Sequence, residues 1–162
     1  MKNKVENRMS AKRIAQDGVF TAILVVLGMI KIPSVFPGAE FQLSAPYAVC
    51  LASMAGFKRY LGIGICASLI QLALGTHTIW NVMIAMVFRV VAGMIIAWFP
   101  MKKVSIVIAG PLGTACARVV MACVLHVPLQ PLLIAALPGM IFTAIVAVLL
   151  NPAIQRIVPE LS

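Results

Sequence analysis

Long apolar runs recur along the chain, and short segments that contain proline, glycine or several charges separate them. Runs approaching 20 apolar residues are typical of helices that cross a membrane, which need about 20 residues at 1.5 Å of rise per residue. The pattern predicts an all-α integral membrane protein with six transmembrane helices. They cover residues 14–30, 45–56, 61–74, 79–99, 104–125 and 132–150.

The second and third helices are shorter than a straight crossing requires. An alternative interpretation therefore counts five helices and treats residues 45–74 as one bent hairpin that does not cross fully. We prefer six, because the loops after the even-numbered helices then lie on the same side as the N-terminal tail. Pro33, Pro37 and Gly38 end the first helix and introduce a polar loop.

Composition excludes a water-soluble monomer, since 62% of the 162 residues are hydrophobic and only 10% are charged. Soluble domains contain about 45–50% apolar residues. The first apolar run is longer than the apolar part of a signal peptide, about 7–15 residues, so we expect it to be retained. The predicted organisation is a basic cytoplasmic tail over 1–10, a single six-helix membrane domain over 11–157 and a C-terminal cytoplasmic tail over 158–162.

Positive charge is distributed unevenly, with 13 Lys and Arg against 4 Asp and Glu and a net charge of +9. Ten of the basic residues fall in the N-terminal tail, the turns after helices 2 and 4, and the C-terminal end: Lys2, Lys4, Arg8, Lys12, Arg13, Lys58, Arg59, Lys102, Lys103 and Arg156. The opposite side has Lys31 alone. Under the positive-inside rule this division predicts that both termini are cytoplasmic. The charge then reflects orientation in a lipid bilayer, and we expect no nucleic acid as partner.

Arg89 and Arg118 are the basic residues within the predicted spans. Arg89 lies about ten residues after Trp80, hence about 15 Å along helix 4 and close to the bilayer centre. An arginine there costs about 2.5–3.5 kcal/mol on insertion scales, so it should face the protein interior. One interpretation is that each arginine only orients helices through a carboxylate or helix-end carbonyls. The other is a site for an anionic ligand, which the scarcity of acids favours, since Asp17 and Glu40 are the only candidates.

The three loops predicted to face outside are polar for their length, and both histidines of the chain lie there. A pocket that combines hydrogen-bonding groups with an aromatic ring suits a small polar organic ligand. Taken singly, each histidine is more often an interfacial residue or loop cap, and the tryptophan a membrane-interface anchor. With the two arginines, the candidate substrate-binding residues are Glu40, Gln42, His77, Trp80, Asn81, Arg89, Arg118 and His126.

Helix 1 carries small residues three and four positions apart, which places them on one face: Ala11, Ala15, Gly18 and Ala22. Such a stripe allows close helix packing. The stripe serves either packing within the chain or docking of a partner protein. We expect these two alternatives about equally, because Ala11 and Ala15 lie in the basic cytoplasmic portion of the chain.

Sequence motifs for catalysis are missing from the chain. It has no G-x-x-x-x-G-K-[ST] loop, no H-E-x-x-H and no acidic cluster for a metal diphosphate, and its four cysteines form no C-x-x-C pair. We therefore expect a protein that is not an enzyme and that uses no metal or cofactor. Any ATP hydrolysis must come from a partner subunit.

The motif Ala11-Lys12-Arg13-Ile14-Ala15 and the segment IPSVFPGAEFQLS, from Ile32 to Ser44, occur here in a small six-helix protein with a basic tail. In this order of loops and helices, over about the whole chain, the sequence resembles the substrate-binding S components of energy-coupling factor (ECF) transporters. The resemblance implies a multi-pass subunit of the bacterial cell membrane that takes up a vitamin or related small molecule.

The resemblance also implies partners. These are a transmembrane T component and two cytosolic ATPase subunits, as in an ABC transporter, and Ala11 and Ala15 match the motif that docks the T component. In that family the substrate is held by the outer loops and the outer parts of helices 4 to 6.

Two other interpretations stay open. The chain also resembles the membrane component associated with heptaprenyl diphosphate synthase, whose sequences share a similar proline-glycine loop after helix 1, and it would then be an accessory to an enzyme. A third interpretation is a structural assembly protein of small helices. Thermal stabilisation by a vitamin would favour the first interpretation, and synthase activity that depends on co-expression the second.

Overall fold

The computed structural model describes residues 2–33, 40–99 and 103–157, and this part of the chain is almost entirely helical. Its six helices are α1 (Lys2–Met29), α2 (Ser44–Ala55), α3 (Phe57–Ala73), α4 (Ile79–Trp98), α5 (Lys103–Leu125) and α6 (Leu129–Ile157). The number of helices agrees with the prediction of six.

Two short strands lie between α1 and α2 and were not part of the all-α prediction. Strand β1 (Lys31–Pro33) pairs antiparallel with β2 (Glu40–Gln42), so that Ile32 lies opposite Phe41. Pro33 is the last residue of β1, and a strand end tolerates a proline because its missing N–H is not needed for the sheet there. The prediction of a polar loop at this place was therefore too simple.

Three helices are long and apolar enough to cross a membrane. Within the described residues they are Ile79–Trp98, Lys103–Leu125 and Leu129–Arg156, with mean hydropathies of 2.1, 1.8 and 2.6. Large apolar side chains on their outer faces are exposed, including Ile134 and Leu149 of α6 at 66% and 68%. Such a surface suits lipid and not water. The chain is therefore a membrane protein, while the number of crossings beyond these three stays a prediction.

Several helix ends differ from the predicted ones. α1 begins at Lys2, so residues 2–10 are helical and continuous with it. α3 begins at Phe57, and the basic segment predicted as a turn forms its first turn. α6 begins at Leu129 and continues beyond Asn151 and Pro152, where its end was wrongly predicted. A proline removes only one backbone hydrogen bond, and without competing water the remaining ones hold the helix together.

The short helix α2 forms the centre of the molecule. Eight of its twelve residues are buried, and it contacts all five other helices. At 1.5 Å per residue it spans only about 18 Å, less than the roughly 30 Å of a bilayer core. Gly56, with a φ of 75°, makes the single-residue connection to α3 that a residue with a side chain would resist. The central position of α2 explains why it need not reach both surfaces.

Hydrogen bonds show how the helices run relative to one another. Cys50 Sγ donates to the carbonyl of Ala147 at 3.3 Å, and Ser53 Oγ lies 2.8 Å from Asn151 Oδ1. Both contacts join α2 and α6 in the same direction along the chain, so these helices run parallel. Parallel packing of two even-numbered helices is what alternation between the two sides of a bundle produces.

Candidate binding cavity

A cavity of about 330 Å³ lies among the helices, next to the α3–α4 loop. It is lined by residues of α1, α2, α4, α5 and α6, by Gln42 at the end of β2, and by His77 of the α3–α4 loop. Its polar lining consists of Gln42, Ser44, His77, Asn81, Arg89, Thr114, Arg118 and Thr143. Leu24, Ile84, Phe88 and several alanines complete the wall. A mostly apolar cavity with a few polar groups is the usual form of a small-molecule site.

Arg89 is the most deeply buried charged side chain of this wall, with 6% of its surface exposed. Its Nη1 donates a hydrogen bond to Oγ of Ser68 on α3. Among the side chains that the structure describes, Arg89 takes part in no ion pair. A guanidinium group has five N–H donors, so a single hydrogen bond leaves most of its capacity for a molecule in the cavity.

Arg118 lines the same cavity from α5, one turn after Thr114. It is less buried than Arg89, and its Nη1 lies 3.7 Å from Sδ of Met121, a weak acceptor. The cavity therefore has positive side chains on two different helices, α4 and α5.

The loop that carries His77 is held in place by Gln71, which is 2% exposed. The backbone carbonyl of Gln71 accepts hydrogen bonds from the backbone N–H groups of Thr76 and His77 at 3.1 and 3.2 Å. Its side-chain amide donates to the carbonyl of Val25 on α1 at 3.2 Å. These contacts fix His77, itself 8% exposed, at the edge of the cavity.

Gln42 is fixed on the other side of the same edge. Its side-chain amide donates to the carbonyl of Gly28 at 3.4 Å, near the end of α1. The last carbonyls of a helix have no partner within the helix, so a side-chain donor satisfies one of them. Gln42 and His77 thus line the cavity from two separate connecting segments. Each segment is hydrogen-bonded to α1, directly through Gln42 and indirectly through Gln71.

Five of the eight candidate substrate-binding residues line this cavity: Gln42, His77, Asn81, Arg89 and Arg118. Trp80 and His126 do not. Trp80 is 45% exposed in the first turn of α4, and His126 is exposed in the α5–α6 connection with a φ of 52°. Glu40 belongs to β2, opposite Pro33, and its side chain lies outside the described part of the structure.

The outward position of Trp80 has a local cause. Thr78 caps α4, since its Oγ1 accepts a hydrogen bond from the backbone N–H of Asn81 at 3.4 Å. The helix phase set by this cap turns Asn81 toward the cavity and its neighbour Trp80 away. Proximity in sequence to the polar loop was therefore a poor guide to which side chain enters the site.

Sequence reasoning missed three polar groups: Ser68, Thr114 and Thr143. Each lies in an apolar helix, and each lines the cavity or contacts a residue that does. Thr114 and Arg118 are four residues apart and so share a helix face, which is a signal that the sequence did contain. Ser68 offered no such signal, because its partner Arg89 belongs to another helix.

A third arginine, Arg59 at the start of α3, lies in a different environment. Its Nε is 2.5 Å from Oδ1 of Asp17 on α1, and its Nη2 donates to Oε1 of Gln16 at 3.1 Å. We call Gln16, Asp17 and Arg59 the α1–α3 junction. Asp17, one of the two acids considered as partners for the buried arginines, is therefore engaged with Arg59 instead.

The small-residue stripe of helix 1 faces outward. All four of its members, Ala11, Ala15, Gly18 and Ala22, are exposed, and a Cβ added at Gly18 would meet no atom within 4 Å. Within the described ranges the stripe therefore packs against no other helix of this chain. Packing against the described residues does not account for it.

No cluster of three or more His, Cys, Asp or Glu residues that could hold a metal ion occurs in the described ranges. The four cysteines are free, with Cys50 buried against α6 and Cys66 and Cys123 exposed on the outside of the bundle.

The fold and the cavity define the class of the protein: a helical membrane protein with an arginine-lined internal cavity. The sequence is 46% identical over 138 residues to Protein BioX of Lysinibacillus sphaericus, an alignment that covers 85% of this chain and 83% of that protein. The chain therefore belongs to the BioX family. No protein-family model matches the sequence, and no solved structure matches it.

Proposed function

We propose that the protein binds a biotin-related small molecule with a carboxylate group in this cavity and serves as the substrate-binding subunit of an ECF-type vitamin transporter. The name of the relative, BioX, points to biotin. The ligand would enter from the extracytoplasmic side, next to Gln42 and His77. ATP hydrolysis would come from two cytosolic ATPase subunits that act through a T component.

The observation that carries the proposal is the state of Arg89. A buried cation is expensive unless an anion or several hydrogen bonds compensate it. The structure describes one hydrogen bond to Arg89, from its Nη1 to a neutral hydroxyl. A ligand carboxylate could accept two parallel hydrogen bonds from the remaining N–H donors, which is the geometry that arginine suits and lysine does not.

The size and lining of the cavity agree with such a ligand. Pockets for small organic molecules begin at about 300 Å³, so 330 Å³ admits a vitamin-sized molecule and little more. Ile84, Phe88 and Leu24 offer apolar surface, while Asn81 and Thr114 offer hydrogen bonds for a polar ring or chain.

The exposed stripe on α1 supports the transport part of the proposal. Small side chains let a partner helix approach closely, and this face is left unpacked by the described chain. No feature of the structure favours the alternative of an accessory to heptaprenyl diphosphate synthase.

Direct binding measurements on the purified protein in detergent test the proposal. Biotin should bind and raise the thermal stability, while biotinamide, its neutral amide, should bind more weakly because it cannot form the charged pair. Any molecule that co-purifies should be identified by mass spectrometry. A neutral or cationic co-purified ligand, or equal affinity for biotin and its amide, would contradict the proposed site.

A matched pair of variants locates the ligand. Ala135→Phe places a large side chain in the cavity, whereas Ile134→Phe makes the neighbouring change on the exposed face of α6. We expect the first to abolish binding and the second to retain it. In cells, uptake should require co-expression of a T component and ATPases, and uptake by the protein alone would contradict the ECF role.

A further inference from the structure

We propose that Ser68 and Gly64 of α3 are positioning residues that hold the guanidinium group of Arg89 ready for an anion. We call these two residues the α3 seat. The inference rests on the proposed function, since it concerns the same cavity. It assigns a role to a helix whose residues do not themselves line the cavity wall.

The two seat residues share one face of α3, because they are four positions apart. Both are buried, and the exposed fraction of Ser68 is 0%. A buried serine in an apolar helix needs a hydrogen-bond partner, and Ser68 has one in Nη1 of Arg89. The hydroxyl therefore acts as an acceptor that fixes one end of the guanidinium plane.

Gly64 provides the space for the arginine side chain. A Cβ added at this glycine would lie 2.5 Å from Cδ and 2.7 Å from Nε of Arg89, far inside normal contact. The next turn of α4 is equally constrained, since a Cβ at Gly93 would lie 2.8 Å from Cδ2 of Phe57. Gly64 lets the arginine side chain lie directly against α3, and Gly93, one turn after Arg89, lets α4 approach α3 closely, so the stem of the arginine cannot move freely.

The physical benefit of the seat is preorganisation. A free arginine side chain loses rotamer entropy when it is immobilised, and a ligand that has to immobilise it binds more weakly because of this loss. In this protein α3 holds the side chain before any ligand arrives. The seat occupies Nη1 and leaves other N–H groups of the plane for the cavity, which favours ligands with a carboxylate over neutral ones.

Two variants with one matched control test the seat. Ser68→Ala removes the acceptor, and Gly64→Ala displaces the arginine. Gly62→Ala is the control, because Gly62 lies in the same helix with no atom within 4 Å of an added Cβ. The first two variants should bind biotin about tenfold more weakly, as expected when a hydrogen bond to a charged group is lost. Their affinity for biotinamide, and both affinities of the control, should stay unchanged.

A double-mutant cycle separates positioning from a general structural role. In an Arg89→Gln background, Ser68→Ala should have no further effect on biotin binding, because the seat acts only through the arginine. Equal losses for biotin and its amide, or an effect that adds to that of Arg89→Gln, would overturn the proposal.

A measurement without ligand keeps this inference separate from the proposed function. In ¹⁵N NMR spectra of arginine-labelled protein in detergent, the guanidinium of Arg89, assigned with Arg89→Gln, should show hindered rotation. Ser68→Ala should restore averaging and Gly62→Ala should not. Free rotation in the unmodified protein would overturn the seat even if biotin binds. Hindered rotation without biotin binding would retain the seat and contradict only the proposed ligand.

Discussion

Two arginines of α3 and α4 differ in what surrounds them. Arg59, in the α1–α3 junction, is partly exposed and pairs with a carboxylate and an amide oxygen. Arg89, in the cavity wall, is almost fully buried and donates one described hydrogen bond, to the hydroxyl of Ser68. The more expensive charge has the weaker compensation. The ligand proposed above would supply the compensation that Arg89 lacks among the described side chains, whereas Arg59 is compensated by Asp17 and Gln16.

The largest expected effect is a difference in accessibility between the two sides of the membrane, toward which the α1–α3 junction and the cavity lie. The positive-inside rule predicts that the start of α5 is cytoplasmic and that its end, on the cavity side, is outside. Lys103→Cys and Val127→Cys mark these two ends at exposed positions of a cysteine-free variant. An impermeant thiol reagent applied to intact cells should label position 127 and leave position 103 unlabelled. Equal labelling at both would refute the predicted topology.

Bulk on the exposed face of α1 should abolish transport without affecting the cavity. Ala15→Trp enlarges a side chain that is exposed in the isolated chain, so it should block close approach of a partner helix. We expect loss of biotin uptake and of co-purification with a T component, with biotin affinity of the isolated protein preserved. Ile23→Trp, at an exposed position of α1 on a different helix face from the stripe, is the control. Loss of binding together with assembly would show that the stripe serves the fold.

Removing one charge from each region tests the comparison itself. Arg89→Gln should weaken biotin binding by about thirtyfold or more, because truncating one partner of a buried charged pair costs about 2–5 kcal/mol. Arg59→Gln should leave the affinity unchanged, since its partners are Asp17 and Gln16. Isothermal titration calorimetry of the two variants measures both values. Normal binding by Arg89→Gln would make this arginine structural as well.

The smallest effect is expected in the junction. Asp17→Asn removes the ion pair with Arg59. The side chain of Asp17 is 35% exposed and that of Arg59 is 21% exposed. Pairs of this kind contribute about 0.2–1 kcal/mol and weaken with salt. The melting temperature should fall by a few degrees at most, and the difference should shrink at high ionic strength. A large fall in the melting temperature that salt does not reduce would show that the junction contributes strongly to the stability of the fold.

The helices could be predicted from sequence because each is a local pattern. Apolar length set α4 and α5 to within one residue of their observed bounds, 79–98 and 103–125. The ends marked only by proline were less reliable, since α6 passes through Pro152. A proline ends a helix only where other backbone groups find better partners, and an apolar bundle offers few.

The candidate site was predictable in part for the same reason. A buried arginine in a chain with four acids is conspicuous in the sequence, and so is a cluster of polar residues between apolar runs. Whether Trp80 or Asn81 enters the cavity depends on a helix cap that shifts one side chain against the next by about 100°. Polar groups in loops therefore include some that face away.

The sequence by itself indicated a membrane protein and predicted that most basic residues lie on one side of the membrane. It also showed that two arginines lie within the long apolar segments. These properties follow from the order of apolar and basic residues along the chain, because the insertion of each segment depends on its own apolar length and flanking charges. Only the tertiary structure decided that Arg89 and Arg118 line one cavity, that Asp17 is engaged with Arg59, and that Gly64 and Ser68 receive the arginine of another helix. Contacts between helices depend on how small residues let them approach, and that geometry exists only once the bundle has packed.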